Sequence, residues 1–489
     1  MAEIQFCDQT FRDGPQSLWG MRMRAGMITD IAHHMDRAGF YSIDVPSGGF
    51  YTVMMRFLRE DPIEAAQHYR RMMPNSTLRY GQRPSSSGQY GISSYAVLDF
   101  YTRYMADRMQ MDSVWVFDCL YDMAEMEYRA RRCHEAGMLV VPSIMYGISP
   151  VHTDEFYADR VREMVSWGVG SSIYFEDAPG ILTPERAATL VPALVQACGD
   201  LPLEMHCHNT TGLAPLNYLT AIEHGAHILH TCSRPMANGP SLPSTEMMIV
   251  NIESAGHTHN LDTTGFDAVA EHLERIALQE GHPIGTCQEY DRRLYDHQLP
   301  GGMTGTFKAQ LAQYGMPEKL EAVLEEIPYV RAAFGHPVSA TPFSQLLGTQ
   351  AVLNVVTGDR WSITTDEVAM YMIGAFGEPP APIDENARDK LLSTPAGRKM
   401  VGWKRPETTL LQMRDQLGSG DDDDEFMRRY FAPVPDIEAT RAAGPLPLRY
   451  QFADDVDRLM RAALDAGRAR RVRLRTPSVS IELSKSPES

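Results

Sequence analysis

The ten residues Leu203-Glu204-Met205-His206-Cys207-His208-Asn209-Thr210-Thr211-Gly212 decide how this chain is read. In a β-strand successive side chains alternate between faces, so His206 and His208 project to the same side. Two imidazoles on one face, followed by a polar run and a glycine, make half of a metal site. By itself the stretch is equally compatible with two unrelated histidines near a strand end. Its meaning depends on what surrounds it.

Working outward, the sequence around it repeats one unit: a short apolar run, a polar turn, a helical stretch, then a glycine. The runs are Ile4–Asp8, Ser42–Val45, Thr77–Gly81, Ser113–Cys119, Met138–Tyr146, Ser171–Asp177, Pro202–His208 and His227–Cys232. They are short and rich in Val, Ile and aromatics, as buried parallel strands are. Amphipathic segments alternate with them, among them Gly26–Ala38, Tyr95–Gln110, Ala124–Glu135, Asp154–Trp167, Pro184–Ala197 and Pro215–His224. Gly39, Gly137, Gly168 and Gly225 stand where helix C-termini need them, and Thr183-Pro184 opens a helix with a cap and a proline. Eight such units over roughly 250 residues predict a (β/α)8 TIM barrel. A doubly wound sheet is the alternative, because alternation does not prove closure.

Composition bounds the rest. The chain has 489 residues, 43% hydrophobic and 22% charged, which suits one large globular domain plus a second. A formal charge of −18 argues against a nucleic-acid or anionic-membrane partner, which would require a basic face. The cysteines are scattered without a CxxC pair, as reduced thiols of the cytoplasm are. The N-terminus has no signal-peptide pattern, and no apolar run approaches the ~18 residues of a membrane span. A cytoplasmic protein is expected. The 29 methionines read as adaptable core filler.

The barrel is assigned to residues 1–255. From 256 to 415 helices with longer loops take over, including Phe266–Glu280, Pro317–Glu326, an apolar Thr341–Val356 and Thr365–Phe376. The turn Leu299–Gly305 is glycine-rich, which lets backbone approach something closely, but it lacks the context of a phosphate loop. Gly418-Ser419-Gly420 and Asp421–Glu425 read as a solvated linker that begins a tail over 416–489. The tail holds a helix at Asp454–Ala466 and weak alternation at Val472–Leu474 and Val479–Leu483.

Chemistry in such a barrel sits at the C-terminal strand ends. There the sequence offers Asp8 to Gln16 after the first strand, Arg79 and Gln82 on the third, Glu176-Asp177 on the sixth, and His206 and His208 on the seventh. Histidines and carboxylates from different strands can converge on one divalent ion. Asp8 reads as a turn cap, and Asp177 as a cap, a salt-bridge partner or a functional carboxylate. Arg12 suits either a structural pair or an anionic substrate. His33 and His34 are assigned to a helix surface, and His152, His224, His227 and His230 are given no chemistry.

These residues resemble a known family. Asp8-Gln-Thr-Phe-Arg-Asp-Gly-Pro-Gln16-Ser is similar to the first-strand motif of biotin-dependent carboxyltransferase domains, those of pyruvate carboxylase, oxaloacetate decarboxylase α and transcarboxylase 5S. These belong to the superfamily that also holds hydroxymethylglutaryl-CoA lyase. The likeness runs through Gly48-Gly49-Phe50, Arg56 to Pro62, His206 to Gly212, Gln298 to Met303, Thr341 to Val355 and Glu378 to Pro382. The resemblance implies a divalent ion (zinc, manganese or cobalt) held by Asp13, His206 and His208, with Arg12, Gln16 and Arg79 binding a 2-oxo acid and its enolate. It also implies a separate biotin carrier, because no Ala/Val-Met-Lys-Met biotinylation motif is present, and a biotin carboxylase partner. We further expect a homo-oligomer.

Three departures accompany the likeness. Glu176 stands where the family has a carbamylated lysine, and it is taken as the fourth metal ligand, a shifted or water-mediated one, or a base. Pro240 replaces the threonine that shuttles a proton between biotin and enolate, and Ser241 substitutes only if the loop shifts. Arg12-Asp13-Gly14 is spelled as in the lyase branch. The expected function is a metal-dependent carboxyltransferase or decarboxylase, with a biotin-independent lyase or a silent scaffold subunit as alternatives.

Overall fold

A computed structural model of the chain describes residues 1–86, 91–301, 303–452, 471–475 and 480–484. Eight parallel strands, each followed by helix, run in order: β1 (Glu3–Asp8), β2 (Ser42–Asp44), β3 (Leu78–Gln82), β4 (Ser113–Val116), β5 (Leu139–Met145), β6 (Ile173–Asp177), β7 (Leu203–Cys207) and β8 (Ile228–Thr231). Closure is decided by β1, whose Cys7 pairs with Ser42 of β2 on one side and with His230 of β8 on the other. The sheet therefore has no free edge among these eight strands, and the fold is a (β/α)8 barrel rather than a doubly wound sheet. A two-residue strand, Thr258–His259, adds to the start of β1.

The helices form where the sequence places their signals. Thr183 accepts from Arg186 N at 3.1 Å and Pro184 occupies the first helical position, so the helix Pro184–Cys198 starts as read. Its apolar stripe, Ala187, Leu190, Val191 and Leu194, is fully buried against the outside of the sheet. The main apolar core lies in this shell between strands and helices, and the methionines Met27, Met35, Met54 and Met126 are part of it.

The inside of the barrel is different. Such barrels are usually filled with branched aliphatic side chains. Here the inward positions include Cys7, Ser42, Arg79, Ser172, Glu204 and His230, all nearly inaccessible to solvent. The apolar part of the interior is a small separate cluster in which Trp115 stacks on Tyr174 at 5.2 Å beside Val141.

After the barrel the chain is mainly helical, and the helices Phe266–Glu280, Leu320–Ala333 and Phe343–Thr357 each carry a set of buried residues. This region grips the barrel mouth. Gln298 bonds both the N–H and the carbonyl of Ile148 at 2.9 Å, and Arg331 Nη1 donates to the same carbonyl at 2.8 Å. The loop after β5 is thereby held from above.

The acidic run expected as a linker instead opens a helix, Asp423–Phe431. Asp422 caps it, accepting from Glu425 N at 2.9 Å, and Asp424 accepts from Tyr104 Oη at 2.8 Å and Arg108 Nη2 at 2.6 Å. Carboxylates stabilise the exposed N–H groups and positive dipole end of a helix start, so a charge run there orders rather than loosens the chain. Arg471–Arg475 and Ser480–Ser484 pair antiparallel. The helix expected at 454–466 lies outside the described residues. No described helix is long and apolar enough to cross a membrane.

Candidate metal centre

Asp13 begins a short helix, Asp13–Leu18, directly after β1, while His206 and His208 lie at and just beyond the end of β7. His206 alternates with Glu204 on the inward face of β7, and the chain continues inward because His208 N donates to the Asp177 carbonyl at 3.0 Å. The three side chains meet. His206 Nε2 lies 2.9 Å and His208 Nε2 3.1 Å from the same oxygen, Asp13 Oδ2. All three are buried, and their donor atoms lie within 4.8 Å of one another.

The ring nitrogens facing away from Asp13 are engaged by the protein. His208 Nδ1 is 2.5 Å from the Pro240 carbonyl, to which it donates. His206 Nδ1 is 2.7 Å from Tyr174 Oη and 3.2 Å from His230 Nδ1. Asp13 Oδ2 and His206 Nε2 are buried and close, yet neither atom makes a hydrogen bond in acceptable geometry. Two imidazoles and a carboxylate turned on one point are the donor set of a divalent cation, so the residues fit one.

Electrostatics agree. Burial alone would push the Asp13 carboxyl up, but His208 and Arg12 outweigh it and hold it well below the usual carboxylate range. Burial pulls the His206 imidazole down to about 3, against the opposing pull of Asp13. His208 differs: burial disfavours its imidazolium, but Asp13 and the Pro240 carbonyl push it up to about 9. A cation held by Asp13, His206 and His208 would take the place of the His208 proton, as metal binding generally does.

The remaining predicted residues divide. Arg12, on the turn between β1 and the helix, has Nη1 3.6 Å from Asp13 Oδ2 and its guanidinium 4.8 Å above the Trp115 ring. Gln16 is one turn further along that helix and half-buried. Glu176 faces inward on β6, in register with His206, but its carboxylate is not one of the three donors that meet within 4.8 Å. Burial pushes it up to about 7 against the pull of Arg12, and its Oε2 has no hydrogen-bond partner.

Arg79, expected to bind the 2-oxo acid, is paired inside the barrel: Nη1 is 2.6 Å from Glu204 Oε2 and Nη2 3.2 Å from Oε1, one inward step below His206, while its Nε makes no hydrogen bond. Asp8 and Asp177 are caps. Asp8 accepts from Thr10 N and Oγ1, and Asp177 accepts from the N–H groups of Gly180, Ile181 and Leu182. Ser241 is fully buried with Oγ 3.6 Å from Cys232 Sγ, so its hydroxyl is turned to that thiol. Gly301 meets the Pro240 ring, where an added Cβ would stand 2.9 Å from Pro240 Cβ; the glycine-rich turn serves this close approach.

Sequence reasoning missed Tyr174, Asp44 and above all His230. His230 Nε2 is 2.8 Å from Glu204 Oε2. Cys7, Glu204 and His230 also group as metal-type donors, but both Glu204 oxygens are already held by the Arg79 guanidinium, which repels a second cation. Asp44, at the end of β2, is fully buried, and neither carboxylate oxygen makes a hydrogen bond among the described residues. The inward alternation of β7 could have flagged Glu204; nothing local flags His230 or Asp44.

Two family models match the chain: a conserved carboxylase domain over residues 294–422 and an HMGL-like domain over residues 99–273. The pyruvate carboxylase B subunit of Methanocaldococcus jannaschii is 35% identical over 392 residues, covering 80% of this chain and 68% of the relative. The methylmalonyl-CoA carboxyltransferase 5S subunit of Propionibacterium freudenreichii subsp. shermanii is 32% identical, covering 83% of this chain and 80% of that relative. Among solved structures, the carboxyl transferase domain of Rhizobium etli pyruvate carboxylase with oxamate and biotin superposes with a TM-score of 0.82. It is 25% identical, and the match covers 90% of this chain and 78% of that one.

Proposed function

Because the chain belongs to the carboxyltransferase family of the pyruvate carboxylase B subunit and the transcarboxylase 5S subunit, we propose that it is the carboxyltransferase subunit of a biotin-dependent enzyme. Its acceptor in this reading is a 2-oxo acid or related carboxylate. The observation that carries the reading is the convergence of Asp13, His206 and His208 beneath the Arg12 guanidinium. The likeness to carboxyltransferases over about four-fifths of the chain does not favour a biotin-independent lyase.

Transfer of a carboxyl group from a biotin nitrogen to the carbon beside a ketone breaks the N–C bond, moves a proton from that carbon to the nitrogen and forms a C–C bond in its place. Negative charge passes through the ketone oxygen in between. A divalent cation (zinc, manganese or cobalt) held by Asp13, His206 and His208 supplies Lewis acidity toward such an oxygen. Arg12 supplies fixed N–H donors and a positive charge in a site where water cannot screen them. Trp115 beneath the guanidinium keeps it extended over the mouth. Pro240 has no hydroxyl, and Ser241 is turned to Cys232, so neither moves the proton. Glu176, with one oxygen free of partners, is the side chain suited to hold it.

In this reading residues 1–255 carry the ion, 256–415 form the helical extension and 416–489 the tail. Biotin comes on a separate carrier loaded by a biotin carboxylase partner, and the chain self-associates.

The test combines metal analysis with oxaloacetate decarboxylation, measured with and without free biotin or a biotinylated carrier. We expect one divalent ion per chain and a rate that rises with biotin. A fast rate indifferent to biotin and its carrier would sink the carboxyltransferase reading. Asp13→Asn should lose the ion on dialysis, and retention of a full equivalent would dismiss the three-residue centre.

A further inference from the structure

We propose that the buried guanidinium of Arg331, together with His152, forms a binding site for a small monovalent anion such as chloride, where the loop after β5 meets the helical extension.

Arg331 lies near the C-terminus of the helix Leu320–Ala333 and is only 5% exposed. Two of its nitrogens are held by carbonyls: Nε donates to Pro337 O at 2.8 Å, and Nη1 to Ile148 O at 2.8 Å. Nη2 is buried and makes no hydrogen bond. It lies against Gly147, where an added Cβ would stand 3.1 Å away, but the N–H and the carbonyl of Gly147 are both engaged by Tyr157 Oη. No carboxylate among the described residues pairs with Arg331. Burial pulls the guanidinium down to about 10, with only the phenols of Tyr157 and Tyr371 opposing. At neutral pH it is still a full positive charge, and a buried charge without a counter-charge is costly.

His152 repeats the pattern on the facing loop. It too is 5% exposed, and its Nε2 is buried without a partner. Its Nδ1 is 2.7 Å from Ser149 Oγ, which accepts from Val151 N at 3.2 Å. In the arrangement the site requires, the Ser149 hydroxyl donates to Nδ1 and Nε2 carries the hydrogen. Burial pulls His152 down to about 3, and Arg331 and His336 add to that pull, so the imidazole is neutral and the guanidinium is near. His336, on the turn after the helix, is likewise held down by burial and by Arg331. Three basic side chains gather here, and no acid among the described residues balances them.

A water molecule would accept from Nη2 and leave the charge uncompensated. An anion accepts from both free N–H groups and supplies the missing charge, and hydrogen bonds to an ion are the stronger kind. One uncompensated positive charge and two donors suit a small monovalent anion better than sulfate, which brings a second charge. The same guanidinium holds the Ile148 carbonyl that Gln298 Nε2 also holds, so the anion fastens the barrel to its extension.

The experiment follows thermal melting of the full chain at constant ionic strength while sodium gluconate is exchanged for sodium chloride. We expect a saturating rise of about 2–4 °C in the wild type. Arg331→Met should not respond to chloride, and His152→Phe should need about 10–100-fold more of it. A wild-type melting temperature indifferent to the exchange overturns the inference, as does a rise that persists unchanged in Arg331→Met. Bromide-soaked crystals of the wild type decide the matter without any variant. An anomalous peak within hydrogen-bond distance of Arg331 Nη2 supports the site; a water there, with no anomalous signal, refutes it.

Discussion

Arg79 on β3 and Glu204 on β7 face one another across the full width of the barrel and close a two-pronged ion pair, 2.6 and 3.2 Å long, in its interior. The pair lies one step below His206, so the floor beneath the candidate metal centre is charged and its charges are mutually satisfied. Taking two charges out of water costs more than an isolated contact repays. The geometry here is bidentate, and His230 adds a third bond to the carboxylate.

Arg79→Met leaves Glu204 as an uncompensated buried anion. We expect a loss of about 3–5 kcal/mol, since removal of one partner of a buried pair exposes the full desolvation penalty of the other. Arg79→Met/Glu204→Leu, which removes both charges, should recover much of that loss. Thermal melting of the two variants and the wild type checks this. A double variant no more stable than the single one would mean that Arg79 does not act through Glu204.

Glu176→Gln should leave the ion in place while lowering turnover about 10²–10⁴-fold, the usual worth of a positioned acid or base. Its carboxylate is outside the set of three converging donors, and burial holds it up to about 7, where it both takes and gives a proton near neutrality. Metal analysis paired with a decarboxylation assay decides the matter. Loss of the ion in this variant would return Glu176 to the ligands.

Asp8 gives a pH dependence of defined sign. Burial raises its carboxyl to about 7 from an ordinary 3.8, with the Thr10 hydrogen bonds opposing. A raised folded-state value means that the folded protein binds the proton more tightly than the unfolded chain. The stability this contributes is fully present below about pH 4 and disappears as pH rises through about 7. Asp8→Asn removes the titration. Relative to the wild type, the variant should therefore gain stability between pH 5 and pH 8, by an amount of order 3 kcal/mol at about 1.4 kcal/mol per pKa unit. Melting temperatures at several pH values measure the gain; a constant difference across that range would contradict it.

How much of this was legible depended on how local the cause was. The eight strands and the caps at Asp8, Asp177 and Thr183 follow from alternation and from side chains bonding their own neighbours, within five residues of chain. The histidine pair was legible because period-two alternation fixes which residues share a face. The acidic run at Asp421–Glu425 was misread because the same residues serve a solvated linker or a helix start. What separates the two is the packing of Asp424 against Tyr104 and Arg108, more than 300 residues earlier in the chain.

By itself, then, the sequence determined the strand count, the inward pairing of His206 with His208, and a carboxylate after β1 within reach of the same end of the barrel. Closure was decided only in three dimensions, when β1 paired with both β2 and β8. That closure fixed the height of each inward side chain, setting Arg79 opposite Glu204 and bringing His230 beside His206. The physical reason is register: alternation says which face a residue takes, but its level in the barrel comes from hydrogen bonds to strands distant in sequence. At that level the Arg79 guanidinium meets the Glu204 carboxylate, 125 residues later in the chain.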